Sequence, residues 1–427
     1  MCRIHHPETP RMHLKTILNH VERHKSFVYG KQHLVADGTE LRIEVAVRSR
    51  ANSHPICSGC GRAGPGYDRL PERRFEYVPL WAVPVFLLYA LRRVECPLCG
   101  VTAERVPWCD GKHAQCTTYR WFLARWARRL SWLEVATVFR ASWDSVYRSV
   151  EYAVSWGLAH RKLEKIEAIG VDEVQWQRGH KYLTLVYQID AGLRRLLWIG
   201  KDREEQSLRG FFHELAPAVC AGLRYVCSDM WKPYLTVLAE CVKHAVHVLD
   251  RFHIMQRMNK AIDEVRASEA RRLKADGKEV LKHARWCLLK RPENLTDRQA
   301  VKLSELLGCN LKAVRSYLMK EDFQQFWEYR SPSWAGKFLR EWCTRAMRSR
   351  IEPMQKMART LRSHRELILN WFRAKKTISA GVVEALNNQV KLRTRKAYGF
   401  RTFDAIKLAL YHQLGKLPEP KFTHEFC

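Results

Sequence analysis

The chain has 427 residues and a formal charge of +30, with 74 Lys and Arg against 44 Asp and Glu. At 46% hydrophobic and 11% aromatic residues it has the apolar content of a folded protein of several domains, which excludes a disordered polycation. The positive excess runs along the whole chain rather than in one tail, so the expected partner is an extended polyanion, nucleic acid ahead of an anionic membrane surface; a basic protein without such a partner is the plainer alternative.

In chain order, the first motif is a pair of knuckles, CSGC at 57–60 and CPLCG at 96–100. Cys57, Cys60, Cys96 and Cys99 offer four soft ligands in two tight turns, which tetrahedral Zn²⁺ accepts in a ribbon. Four thiolates leave no position for water, so the expected zinc is structural. A redox dithiol lacks the strand–helix surroundings it needs, and this cysteine usage implies a reducing compartment. Between the knuckles, FEYVPLW and VFLLYALRRVEC read as strands. The apolar run 78–91 holds two prolines between arginines and is shorter than the ~20 residues of a membrane helix. It is predicted to form two buried strands meeting at Pro84, and no membrane partner is expected. Downstream, CDGKHAQC offers Cys109, His113 and Cys116 as further ligands or as loop and core residues.

Residues 117–161 keep apolar and aromatic residues at helical intervals, among them Trp121, Leu123, Trp126, Ala127 and Leu130. Within them LSWLEVATVFRASWDSVYRSVEYAV reads as helix, turn, helix, with Leu133, Ala136, Val146 and Val150 inside and Arg140-Ala141-Ser142 at the turn. Ser142 or Ser145 would cap the second helix and meet a phosphate, while Trp143, Tyr147 and Arg148 would face a DNA groove. Any small helical domain can carry such a pair.

From 166 the period changes. IEAIGVD, KYLTLVYQID and RRLLWIG form a strand meander with a tight turn at Gly192. A helix, the strand LRYVCSD, a second helix and the strand AVHVLD follow, an α/β order. The first strand is expected to end in Asp172 and the fourth in Asp229, with Asp190 and Asp250 closing two others. Acids at neighbouring strand ends point into one cleft. In a basic protein they suit a phosphodiester only with a divalent cation between, and two Mg²⁺ ions about 4 Å apart serve phosphoryl transfer. The plainer readings are a surface hairpin acid for Asp172 and a helix cap for Asp229.

Residues 254–365 read as amphipathic helices whose acids are balanced by arginines. After them Ser379-Ala380-Gly381 opens a helix carrying Glu384, with Asn387 and Asn388 one turn on and Lys391, Arg393, Arg395 and Lys396 beyond. Glu384 could be a metal ligand beside a DNA track or one more helical glutamate.

Taken together, CSGC, CPLCG, ARWARRLSW, IGVDE, RGHKYLTLVYQID, VCSDMWKPYL, VLDRFHIMQRMNKAIDEVR, LKRPENLT and VEALNNQVKLRTRKAYGFRT resemble, in order, the DDE transposases of a bacterial insertion-sequence family. The resemblance implies a multidomain α+β chain: a zinc-ribbon domain at 1–108, a helix-turn-helix domain at 109–164, the first part of a ribonuclease-H-like α/β catalytic core at 165–253, an all-helical insertion at 254–375 and the rest of the core at 376–427. It implies Asp172, Asp229 and Glu384 as catalytic acids holding Mg²⁺, with Mn²⁺ able to substitute. It further implies cleavage at terminal inverted repeats, joining of the freed 3'-hydroxyl to target DNA, a homodimer or higher oligomer in the synaptic complex, and a DNA-associated life in the bacterial cytoplasm. Asp250 and His253 in DRFH belong to the pattern, Asp250 as a support or structural residue. Where the family usually has Glu-Gly, this chain has Glu384-Ala385; alanine favours the helix, but its Cβ crowds a close approach. Two rival functions remain, a DNA-binding repressor with a relic α/β domain and a metal-dependent nuclease without strand transfer.

Overall fold

The computed structural model describes residues 13–38, 40–376 and 381–421. The chain divides into two compact units, one of residues 1–161 and 411–427, the other of residues 162–410. It is a multidomain α+β protein, with a β-rich cysteine region first, then a mixed sheet, then a large helical region.

The first unit opens with α1 (Leu14–Val21), then β1 (Phe27–Asp37), β2 (Glu40–Ser49), β3 (Gly66–Leu80), β4 (Val83–Cys96) and β5 (Gly100–Ala103). The sheet runs β1-β2-β4-β3, with β5 on β4. Burial alternates along β4, as a strand with one covered face requires. That face packs on Trp108, which is fully buried and meets Phe27, Phe75 and Tyr89 edge-on at 4.9, 6.0 and 5.4 Å. The two strands of 78–91 do not meet at Pro84. They turn at Trp81 and Ala82, both left-handed (φ 49° and 62°), because such a turn matches the twist of a hairpin while the fixed φ of proline suits the extended strand that follows.

Three helices follow: α2 (Thr117–Trp126), α3 (Trp132–Val138) and α4 (Trp143–His160). Ser131 and Glu134 form a capping box on α3, and Ser142 caps α4 by accepting from the Ser145 N–H at 3.0 Å. The turn between them rests on Arg140, with φ 51°. Ala136, Val146 and Val150 are buried as expected, but Leu133 is 67% exposed and Val135 takes its inner place.

In the second unit β6 (Ala168–Gln177), β7 (Lys181–Asp190) and β8 (Leu193–Lys201) form the meander. Then come α5 (Glu205–Glu214), α6 (Pro217–Ala221), β9 (Tyr225–Ser228), α7 (Lys232–Cys241) and β10 (Val246–Leu249). The sheet order is β10-β9-β6-β7-β8, with β6, β9 and β10 parallel and β7 antiparallel to its neighbours. Ile169 and Val171 of β6 pack with Leu208, Phe211, Tyr234 and Val237. The even-numbered residues of β6 therefore face the other way.

The helical region runs through α8 (Arg251–Ala275), α9 (Arg285–Leu289), α10 (Asp297–Leu307), α11 (Lys312–Gln324), α12 (Pro332–Arg348), α13 (Glu352–Ser363) and α14 (Arg365–Arg373). Its core holds Phe323, Phe326, Trp327 and Trp342, whereas Trp334 is exposed. Last come α15 (Gly381–Lys396) and α16 (Phe403–Leu414); Ser379 and Ala380, expected to open α15, lie outside the described residues.

Candidate active site

The strand register lines up three acids. Gly170 pairs with Cys227, and Leu249 with Ser228, so Asp172, Asp229 and Asp250 sit level across β6, β9 and β10. Asp229 and Asp250 leave the carboxyl ends of their strands, the usual cleft side of such a sheet. Asp172 does not end its strand as expected. It lies inside β6, which continues to Gln177 because β7 still pairs with it after β9 has stopped. Asp190 is not in the row: its carboxylate accepts from the Ala168 N–H at 2.9 Å and from the Gln188 amide at 2.6 Å.

Asp172 is buried, which rules out a surface hairpin acid. Its Oδ2 accepts from the Asn387 side-chain amide at 2.6 Å, and Asn387 in turn accepts from the Tyr187 hydroxyl at 2.8 Å. Both partners are buried. Asn387 thus ties α15 to β6, and Val383 packs against Gly170 on the same face, where a Cβ would come within 2.4 Å of it. Glu384, one turn before Asn387, is exposed at the start of α15, and its charge reaches Asp250. Asp229 also accepts from the Trp231 N–H at 2.9 Å, and Asp250 caps α8 through the Phe252 N–H at 2.7 Å. The capping role and a place in the acid row coexist.

The row is electrostatically crowded. Burial first, then the charges of Asp229 and Asp172, push Glu173 up to about 7. Burial raises Asp250 to about 6 and lifts Asp229 as well. His253 Nε2 stands 4.0 Å from Asp172 and 3.7 Å from Asp250. Burial opposes its proton, but Asp172, Asp250 and Asp229 together prevail and hold it at about 9, so it is a cation at neutral pH. Asp229 feels the charge of Asp172, and Asp250 that of Glu384, but these acids do not close to ligand spacing: among the described residues, the group of three or more candidate ligands whose atoms all lie within 4.8 Å of one another is the four cysteines.

Those are Cys57, Cys60, Cys96 and Cys99, from the two knuckles. Cys60 and Cys96 sulfurs are 3.5 Å apart, and Gly59 lets the knuckles close, since a Cβ there would lie 3.0 Å from the Cys99 sulfur. The Thr102 hydroxyl at 3.2 Å draws the Cys57 thiol down to about 6, while the hydrogen bond with Cys60 leads those that push Cys99 up to about 12. Thiols this close ionise together only around a cation, and the set is compatible with structural zinc. Cys109, His113 and Cys116 are not part of it. Cys109 donates to the His113 carbonyl at 3.0 Å, and Cys116 is a buried core residue at the start of α2.

Of the residues assigned to DNA, Trp143 is exposed and stacks on Tyr147 at 5.5 Å, both against Trp132. Arg148 is exposed and paired with Asp144 at 2.9 Å, and the Ser142 hydroxyl is taken up by capping. Lys391, Arg395 and Lys396 are exposed, with Arg393 partly so, on the helix that carries Glu384. No described helix is long and apolar enough to cross a membrane. Sequence reasoning noted Asn387 only as an amide near Glu384 and missed Tyr187, since neither bond leaves a local pattern.

The model of the ISL3-type DDE transposase family, described as a transposase, matches residues 169–410. A transposase for insertion sequence element IS1001 from Bordetella parapertussis is 29% identical over 357 residues, 81% of this chain and 85% of that protein. A transposase for insertion sequence element IS1557 from Mycobacterium tuberculosis is 29% identical over 411 residues, 89% of this chain and 90% of that protein.

Proposed function

This chain belongs to the ISL3 family of insertion-sequence transposases, and on that premise we propose that its mixed sheet is a ribonuclease-H-like core in which Asp172, Asp229 and Glu384 carry DNA cleavage and strand transfer. The observation that carries the assignment is the bond from Asn387 to Asp172, which locks the helix of the third acid to the strand of the first. Hard carboxylate oxygens from Asp172, Asp229 and Glu384 are the ligand type that Mg²⁺ or Mn²⁺ takes. These three acids would hold the ion, and the chemistry it would supply is polarisation of the phosphodiester and activation of the attacking oxygen.

The chain's own residues do the rest. Asn387 holds Oδ2 of Asp172 and the Glu173 N–H holds Oδ1 at 2.8 Å, so the carboxylate is fixed in orientation. The His253 cation offsets part of the negative charge between Asp172 and Asp250, so that a polyanion can approach the row. Asp250 orients the start of α8 beside it. Trp143, Tyr147 and Arg148 with Ser142 at the cap present a DNA-facing surface on α4. Lys391, Arg393, Arg395 and Lys396 hold phosphates flanking the one attacked, positioning the strand without reading it. The cysteine ribbon, 1–108, and the helical pair, 109–164, recognise the terminal inverted repeats, and two or more copies of the chain assemble the synaptic complex on DNA.

Incubating the protein with Mg²⁺ or Mn²⁺ and a duplex of the inverted repeats that flank its coding sequence tests the reading. A transposase cuts at the repeat end and then joins the freed 3'-hydroxyl to a second duplex. Binding without cutting would make the protein a repressor, and cutting without joining a nuclease.

A further inference from the structure

Arg203 stands in the short connection from β8 to α5, and nothing in the acid row accounts for the way it is held. Asp202, left-handed at φ 63°, turns the chain there, and its N–H donates to the Tyr182 carbonyl at 2.9 Å. The Thr184 hydroxyl donates to the Asp202 carbonyl at 2.6 Å, and the Trp231 indole N–H donates to the Arg203 carbonyl at 3.0 Å. The backbone is therefore pinned on both sides. The side chain is pinned too: its guanidinium carbon lies 4.1 Å from the Tyr182 ring centroid and 4.7 Å from that of Trp231. Two rings grip one planar cation.

Such a grip fixes a long side chain that would otherwise move freely. Its only ion partner among the described residues is Glu173, at 4.0 Å, which is beyond hydrogen-bond reach. The guanidinium edge has no hydrogen-bond acceptor among the described residues and is about a third exposed (35%). Trp231, one of the two rings, is also the residue whose N–H holds Asp229. The cation is thus packed onto the turn that carries an acid of the row, through Trp231, on the side of β6 that Glu173 faces, opposite Asn387. A fixed, forked donor with its edge open fits a phosphate oxygen.

We propose that Arg203 binds a phosphate of the DNA strand next to the one that is cut, holding the strand against the acid row. The inference rests on the reading that the acids cut DNA. Cleavage is measured on the flanking-repeat duplex with natural phosphates and with a single neutral methylphosphonate placed in turn at each phosphate beside the cut. Wild type, Arg203→Ala, Arg203→Gln and Arg203→Lys are compared, with thermal melting of each. In wild type, one methylphosphonate position slows cutting about tenfold or more, the loss expected of a charge-assisted hydrogen bond. Arg203→Ala cuts the natural duplex more slowly by a similar factor, and the same methylphosphonate then costs nothing further; Arg203→Lys falls between. A purely structural arginine would leave the two losses multiplying at every position, and that result overturns the proposal, as does wild-type cutting by Arg203→Ala. Should Arg203→Ala fail to fold, Arg203→Gln carries the same comparison. If wild type cuts no duplex in Mg²⁺ or Mn²⁺, the reading of the acids falls and takes this inference with it; if wild type cuts and the losses multiply, the inference alone falls.

Discussion

Asp172 is hydrogen-bonded by two neutral N–H groups, the Asn387 amide and the Glu173 backbone, and the His253 cation at 4.0 Å offsets only part of its charge. Asp172→Asn keeps the shape of the side chain and removes that charge, so the variant should bind repeat DNA about as well as wild type and cut it no longer. Asn387→Ala is milder: it strips one partner from Asp172 and one from Tyr187, and loss of such an orienting group costs ~10–100-fold in metal affinity or rate. Cleavage rates over a Mn²⁺ titration check both, and an Asp172→Asn variant that cuts near the wild-type rate would remove Asp172 from the site. Acidity gives a second test. Glu173 at about 7 and Asp250 at about 6 stand above their ordinary 4.5 and 3.8. The stability each lends is whole below its unfolded value and is lost as pH rises through the folded one. His253, at about 9 against 6.5, follows the same sign at higher pH. Metal-free protein should therefore lose stability as pH climbs from 4.5 to 7, with Glu173 contributing up to about 3 kcal/mol. Denaturant unfolding at fixed pH measures it, and Glu173→Gln should flatten that limb; an unchanged slope in this variant would contradict the assignment.

At the scale of elements, the site depends on how closely α15 lies on β6. A Cβ at Gly170 would meet Val383 Cγ2 at 2.4 Å and Ile189 Cγ2 at 3.3 Å, and two β-branched side chains have little room to yield. Gly170→Ala should cost about 1–3 kcal/mol and, by lifting α15, draw Asn387 and Glu384 away from Asp172. Cleavage should fall further than DNA binding. Gly192→Ala, in the β7–β8 turn with open space around it, is the control and should leave both unchanged; equal losses in the two variants would break the link between helix seating and chemistry. The knuckles make a parallel case. They join turns 36 residues apart through their sulfurs, so the metal holds the local fold together. Cys96→Ser should lower zinc per chain, measured by elemental analysis, and abolish specific repeat binding. Full zinc content in that variant would refute the ligand set.

Over the whole molecule, what could be read from the sequence depended on how far apart the partners lie along the chain. Cys57 to Cys60 and Cys96 to Cys99 are local spacings, and the chemistry of each pair was legible. The apolar runs of β6 to β10 made the succession of strands and helices legible because each is a buried segment, but not the order of the strands in the sheet. β1 and β2 went unread, since exposed residues and a register shift between Tyr29 and Gln32 blur their alternation. Leu133 was misplaced because seven residues of α3 hold too few turns to fix a face. The Asn387–Asp172 bond spans 215 residues and leaves no trace in either neighbourhood. Glu384 stood between metal ligand and ordinary helical glutamate until the resemblance to a family favoured the first, and Arg203 becomes visible only when rings from positions 182 and 231 close on it. The claim that joins these scales is that carboxylates from three distant segments share one divalent metal. Fe²⁺ with ascorbate and peroxide, in protein whose cysteine site is kept filled with zinc, cuts the backbone beside wherever the iron binds. The account predicts breaks near residues 172, 229 and 384, all suppressed by excess Mg²⁺ and absent in Asp172→Asn. Breaks confined to other segments, or breaks near these three that Mg²⁺ does not suppress, would contradict it.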